Sequence, residues 1–590
     1  MSVILGLNFF HADSSACVVV DGVLKSAIAE ERLGERLKHD PRFPENAIRR
    51  VLAESGVRLQ DVTHLAIPRD ASSNSSAKMK YVLTRPGRGV PAAIEHFRRR
   101  KHTEGMRERL AGICGVDPAQ VKFEEHAVEH HLSHVASSYY CSPFDGLTAG
   151  LSYDASGDFV SMMAARCEGT KIEILDRVYL PHSLGFFYTA ICQYIGFTDF
   201  GEEYKVMGLA PYGEDTFGDV MRRLLMLDDS GWFRLNEPCF GMHSGGESGE
   251  VDTNKRIVQG QMYSDRIKDL INVPVRKRSD AMEQVHKDLA RSCQVRFEEA
   301  AVHCMKRLHA LVPTERVAYA GGCALNGVAN ARILRETGFT TPFLQCAASD
   351  DGTCIGAALW VYHNVLGGKN RFHMEHAYWG PGYSAEEEKK SAEKIGMPMR
   401  VCSGDETLRV VAKLINDGLV VGWYQGGSEW GPRALGNRSI LANPTRKDMK
   451  DIINAKIKRR ESFRPFAPTV LKEKVNEYFE QDVHSPFMMH VVKIRPEWRE
   501  KLPAVTHVDG TGRLQSIERR NNPRYYDLIA KFAELSGVAV VLNTSFNENE
   551  PIVDTPDQAA ACFTRTDMDA LCLGDHVVVK PEHEQLLRGA

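Results

Sequence analysis

An α/β fold in two domains is expected from three features of the sequence. The chain has 590 residues, past the length at which a single hydrophobic core stops growing, so two or more domains are needed. Apolar segments of strand character alternate with segments of helical period. The stretch GGKNR (Gly367 to Arg371) separates two such patterns and reads as a linker, giving expected domains of 1–366 and 374–590.

The elements follow in order. SVILGLNFF (Ser2 to Phe10) and SACVVVDGVLKSAIA (Ser15 to Ala29) are apolar and β-rich, and the polar turn between them predicts a hairpin opening a mixed sheet. The basic run Phe97 to Lys101 (FRRRK) reads as a solvated helix face. In AVEHHLSHVASSYY, Val128, Leu132, Val135, Ala136 and Tyr139 recur at helical spacing. LTAGLSYDASGDFVSMMAA (Leu147 to Ala165) reads as strand, turn, strand. Residues 213–265 form a Gly/Ser-rich insertion, either a loop over a site or a surface insertion. Asp280 to His309 predicts a long helix, and RVAYAGGCALNGVANARIL (Arg316 to Leu334) a strand, a Gly-Gly turn and a helix. In the second half a helix near 406–416 precedes the strand GLVVGWYQGG, and the helix YYDLIAKFAELSG precedes the strand VAVVLNTSFN. No internal repeat is visible.

Composition excludes several classes. A net charge of −3, from 74 basic and 77 acidic residues, argues against a nucleic-acid binder. No apolar run reaches the roughly eighteen residues of a membrane span, and the N-terminus reads as a strand rather than a signal peptide. The 14 cysteines include no Cys-x-x-Cys pair, so a reducing cytoplasm is the expected location.

No P-loop, zincin or nucleophile-elbow pattern occurs. What remains begins with EHHLSH. His130 and His134, four apart, share a helix face and can share a cation, while His131 projects about 100° away. His126 precedes His130 by the same interval, so spacing leaves the pairing open, and an ordinary histidine-rich turn is the other reading. Asp154 in SYDASGD and Asp350 or Asp351 in SDDG each follow an apolar strand, where a carboxylate is presented at a sheet edge. Two imidazoles and two carboxylates suit Fe(II), Mn(II) or Zn(II). The Gly321-Gly322 turn offers backbone to a nucleotide, or is simply a tight turn. In the second half Arg433, Lys458, Arg464 and Arg513 stand in Gly/Pro/Ser-rich loops and suit a polyanion; scattered surface arginines are the alternative.

The motifs HADSSACVVVDG, HHLSHVASSYY, YKVMGLAPYG, GGCALNGVAN, GPRALGNRSI, KRRESFRPFAP, DGTGR and LNTSFNE, in this order, make the sequence resemble the NodU/CmcH-type O-carbamoyltransferases over essentially its whole length. The resemblance implies an α/β architecture with an N-terminal TsaD/Kae-like ASKHA (actin–Hsp70–sugar kinase) domain and a C-terminal YrdC-like domain. It implies that carbamoyl phosphate and ATP, with Mg, yield carbamoyl-adenylate in the second. The carbamoyl group then passes to a hydroxyl of a small metabolite in the first, assisted by a metal, usually iron.

By that resemblance the metal ligands are His130, His134, Asp154 and Asp350. The adenylation residues are Arg433, Lys458, Arg464 and Arg513, with Asn543 and Ser545 lining the pocket. Gly321, Gly322 and Asn326 match the nucleotide turn, His11 the hydroxyl's base, and Lys205 the intermediate's path. Ala155 replaces a common glycine after the metal aspartate, SDDG replaces Gly-Asp-x-Gly, and HADSSA spaces the early histidine differently from members with adjacent His-Asp. A small hydroxylated partner is expected, with neither nucleic acid nor membrane, and a homodimer remains open. The alternatives are a tRNA threonylcarbamoyl-type transferase and a non-catalytic nucleotide-binding ASKHA protein.

Overall fold

The computed structural model describes residues 1–588 apart from His11, 86–104, Ser230, 242–256 and Ser462. The basic run 97–101 and most of the stretch 241–250 therefore lie outside the described residues. The chain forms two compact units, Met1–Met374 and Glu375–Ala590.

The first unit holds two sheets of one topology. In the first, β1 (Val3–Asn8), β2 (Ser15–Val20) and β3 (Val23–Ala29) form an antiparallel meander, to which β4 (His64–Ile67) and β5 (Glu124–Ala127) add in parallel beside β1. The order is β3-β2-β1-β4-β5. In the second, β6 (Thr148–Gly157), β7 (Val160–Glu168) and β8 (Lys171–Tyr179) form the meander. A small hairpin, β9 (Leu225–Leu227) and β10 (Phe233–Leu235), intervenes before β11 (Arg316–Ala320) and β12 (Thr341–Phe343) add in parallel beside β6. The order β8-β7-β6-β11-β12 repeats that of the first sheet. This duplication leaves no repeat in the sequence because topology constrains apolar period and turns rather than residue identity.

The two halves exchange helices. The helix His130–Tyr139 leaves β5 but packs on β6, β7 and β11, and the helix Thr353–Trp360 leaves β12 side but packs on β1, β2 and β4. Facing each other, they meet where side chains are small. A Cβ on Gly356 would fall 1.8 Å from the Ser133 carbonyl oxygen, and one on Gly6 of β1 would fall 2.3 Å from that of Cys354. Close backbone approach at these glycines brings the histidines of one helix against the turn that begins the other. The opposite face of the first sheet is sealed by Val3, Leu5 and Leu7 packed with Ile48, Val51 and Leu110.

Two expectations change. Residues 213–241 are not plain loop: Leu224, Leu225, Phe233 and Leu235 are buried, and the segment builds the helix Gly218–Leu224 and the β9–β10 hairpin. The GGKNR stretch is fastened to the first unit. Arg371 donates from NH1 to the Gly169 carbonyl and from NH2 to those of Tyr139 and Phe144, satisfying groups near a helix C-terminus.

The second unit is one nine-stranded mixed sheet. Its strands are β13 (Met399–Val401), β14 (Val421–Tyr424), β15 (Arg438–Ala442), β16 (Ala467–Leu471), β17 (His490–Lys493), β18 (Thr511–Ile517), β19 (Val540–Ser545), β20 (Ala570–Leu573) and β21 (His576–Val579), ordered β13-β21-β20-β14-β15-β19-β16-β18-β17. The helices Asp405–Asn416 and Pro523–Ser536 pack together on it. Among the described residues no helix is long and apolar enough to cross a membrane.

Candidate functional site

In the first unit four side chains converge. His134 Nε2 lies 3.1 Å from Asp154 Oδ2 and 3.2 Å from Asp350 Oδ1; His130 Nε2 lies 3.1 Å from His134 Nε2 and 3.4 Å from Asp350 Oδ1. One ligand atom from each sits within 4.8 Å of the others. Asp154 Oδ2 is buried, and beyond this contact with His134 it has no hydrogen-bond donor among the described residues. Such an atom, turned toward a common centre, is what a cation would satisfy, and the His₂Asp₂ donor set fits a divalent transition metal. Burial opposes charge on His134, but the Asp154 and Asp350 carboxylates outweigh it and raise its pKa to about 9.

SYDASGD builds this centre locally. The Ala155 N–H donates to Asp154 Oδ1 at 2.6 Å and fixes the carboxylate. A Cβ on Gly157 would fall 2.0 Å from the His130 ring, so glycine there admits the imidazole. Asp158 Oδ2 accepts the His130 N–H at 2.9 Å and serves as an external acceptor for the helix's first turn. Gly157 and Asp158 escaped the sequence reading, which weighed only the aspartate at the strand's end. His131 points away: its Nδ1 is 2.8 Å from Ser152 Oγ, and burial followed by the neighbouring histidines pushes its pKa well down.

The aspartate pair divides its labour. Asp350 faces the histidines, whereas Asp351 faces Asp13 and Glu31; burial and those carboxylates push it well up. Gly321 has φ +98°, and its Cβ would fall 2.2 Å from the Tyr153 carbonyl; one on Gly322 would fall 2.9 Å from Asp154 Oδ1. The double glycine thus lets the turn close against the Asp154 strand. Asn326 caps the helix Gly327–Glu336, accepting from the Ala329 N–H, and exchanges amide bonds with Gln294. Lys205 Nζ is held by Glu202 Oε1 at 2.6 Å. His11 lies outside the described residues.

The second unit gathers like charges. Burial first, then Arg433, Arg460 and Arg464, push the half-buried Arg513 well below the ordinary guanidinium range. A guanidinium keeps its proton, so Arg513 stays charged while both its burial and the three neighbouring arginines disfavour that charge, and an anion would offset both. Arg460, which the sequence reading left out, is stacked over Phe466 at 4.9 Å. Lys458 is buried and pushed well down by burial and Arg460; its Nζ donates to the Ser545 and Asn547 carbonyls at 2.6 and 2.7 Å and to Asn547 Oδ1 at 2.6 Å. It clamps the loop after β19. Asn543 lies beneath, its amide donating to the Ala434 carbonyl, Thr469 Oγ1 and Gln515 Oε1, while Ser545 Oγ donates to Asn547 Oδ1. Glu429 Oε1 accepts the N–H groups of Leu435, Asn437 and Arg438 and so shapes the loop that carries Arg433.

A neutralised His/Asp centre in one unit and an anion-seeking arginine cluster in the other is a division of chemistry suited to a group-transfer enzyme. The chain belongs to the carbamoyltransferase family: the "Carbamoyltransferase N-terminus" model matches residues 3–359 and the "Carbamoyltransferase C-terminus" model residues 412–580. It is 37% identical to an uncharacterized protein of Synechocystis, covering 99% of this chain and 98% of that one. It is 35% identical to nodulation protein NolNO of Sinorhizobium fredii, covering 97% and 80%, and 27% identical to nodulation protein U of Rhizobium tropici, covering 95% and 93%. It is a carbamoyltransferase.

Proposed function

We propose that the protein is an ATP-dependent O-carbamoyltransferase acting on a hydroxyl of a small metabolite. The observation that carries the adenylation half is the cluster of Arg433, Arg460, Arg464 and Arg513, in which burial and three like charges both leave Arg513 short of a counter-charge that an anion would supply. Water hydrolyses carbamoyl phosphate, leaving carbamate and inorganic phosphate. A carbamate oxygen attacks the α-phosphorus of ATP, and pyrophosphate departs with the electron pair of the broken P–O bond. Arginine forks fixed before the reaction stabilise the charge that builds on the phosphates. Lys458 holds the Ser545–Asn547 loop against that pocket, with Asn543 bracing it from below.

In the first unit the acceptor hydroxyl attacks the carbamoyl carbon, AMP leaves, and the hydroxyl's proton passes to a base, for which His11 is the candidate. His130, His134, Asp154 and Asp350 would hold a divalent metal, Fe(II), Mn(II) or Zn(II), which when bound supplies Lewis acidity and a template for the phosphate end of the intermediate. The Ala155 N–H keeps Asp154 in place, and Ser152 holds His131 turned away from the four ligands.

The test follows pyrophosphate in a mixture of protein, ATP and carbamoyl phosphate. Lys458→Ala abolishes its release. His130→Ala leaves release largely intact and blocks carbamoylation of an acceptor hydroxyl, read by mass spectrometry. Equal loss of both activities in both variants would sink the two-site assignment.

A further inference from the structure

His126 precedes His130 by one helical turn in sequence, yet the structure places it on a strand. In the parallel β4–β5 pair, His64 sits opposite Glu124 and Ala66 opposite His126. Alternation along a strand therefore puts His64, Glu124 and His126 on one face of the first sheet. His64 Nδ1 is 3.0 Å from His126 Nε2, with the rings tilted by 42°, and Glu124 Oε2 is 4.0 Å from His64 Nδ1. Their ligand atoms all lie within 4.8 Å of one another, as a group separate from the His130/His134 centre.

We propose that His64, His126 and Glu124 form a second divalent metal site, for an ion of the zinc class. Two ring nitrogens turned toward each other share at most one proton. Bonds of about 2.0–2.1 Å from both to a tetrahedral cation would set them about 3.3 Å apart, a small opening of the observed gap. The Glu124 side chain is 70% exposed, so its carboxylate is free to rotate inward and leave a fourth position to water. Burial holds the His126 pKa below its ordinary value, which keeps the imidazole neutral and ready to ligate. Imidazole donors select zinc, nickel or copper over magnesium or calcium. The location gives the ion a consequence. β5 is the edge strand of its sheet and runs through Val128 and Glu129 into His130, so a bridge from β4 to β5 pins the entry to the ligand helix.

The experiment strips the full chain with a chelator and titrates Zn(II) by calorimetry, with bound metal counted after desalting. Two equivalents are expected in the wild type. His126→Gln removes one and keeps the other, and Asp154→Asn does the converse. Glu124→Gln, at an exposed position where folding is not at risk, weakens the same equivalent as His126→Gln by about tenfold or more. A single equivalent lost only in His126→Gln supports this site and tells against the buried one. Equal stoichiometry and affinity in wild type, His126→Gln and Glu124→Gln would mean that the histidines share only a proton, and would overturn the proposal.

Discussion

The two units assemble charge in opposite ways. The His130/His134 centre brings its counter-charges with it, since Asp154 and Asp350 face the imidazoles at 3.1–3.4 Å. The arginine cluster instead sets Arg513 among Arg433, Arg460 and Arg464, with Glu461 facing Arg464 at 3.8 Å. A balanced buried site is damaged by losing one member, because the partner's charge is then left buried and uncompensated. A like-charged site is a standing cost that its ligand repays. Removing one residue should therefore have opposite effects on stability in the two places.

The largest effect should be on catalysis by the second unit. Arg513→Met is expected to slow pyrophosphate release by about 100- to 1000-fold. In the absence of nucleotide the same change should raise the thermal midpoint, by about 1 kcal/mol of relieved repulsion. A lower midpoint would break the contrast between the units. Next comes the helix crossing of the first unit. Gly356→Ala sets a methyl against the Ser133 carbonyl and should cost about 3 kcal/mol in urea unfolding, with loss of metal affinity as His134 and Asp350 separate.

Smaller effects sharpen the picture. Glu429→Gln weakens three bonds to the loop carrying Arg433. It should cost about 2 kcal/mol and raise the KM for carbamoyl phosphate. The smallest effect is a pH dependence at His39, whose Nδ1 is 2.7 Å from Asp13 Oδ1. Burial lowers its pKa, but Asp13 and then Glu31 more than reverse this and raise it to about 9. With a folded pKa above the unfolded one, its contribution is complete below about pH 6.5 and is lost as pH rises through 9. His39 is 32% exposed, so the contribution is under about 1 kcal/mol. The difference in midpoint between wild type and Asp13→Asn should accordingly narrow as pH rises through 9.

Much of this was legible in the sequence. Helical spacing gave the helix His130–Tyr139, apolar β-rich runs gave β1, β2, β6 and β19, and clustered arginines in loops pointed to an anion. Asp350 could not be separated from Asp351, because adjacent residues at a helix start differ only in which way the turn faces them. Gly157, Asp158 and Glu429 left no signal of their own, since clearing a ring or receiving backbone N–H groups depends on a neighbour distant in the chain. Spacing left His126 open as a partner of His130, and the structure removes it from that helix: it lies on β5, with Val128 and Glu129 between the strand and the helix.

The sequence by itself determined the periods, the turns and the inventory of charged and ligating groups, because those are local properties of the chain. Only the tertiary structure decided which of them meet. The exchange of helices between two like sheets carries His134 to Asp350, 216 residues away, through glycines that permit backbone contact. No local pattern encodes that approach, because its energy lies in packing between segments that are neighbours only after folding.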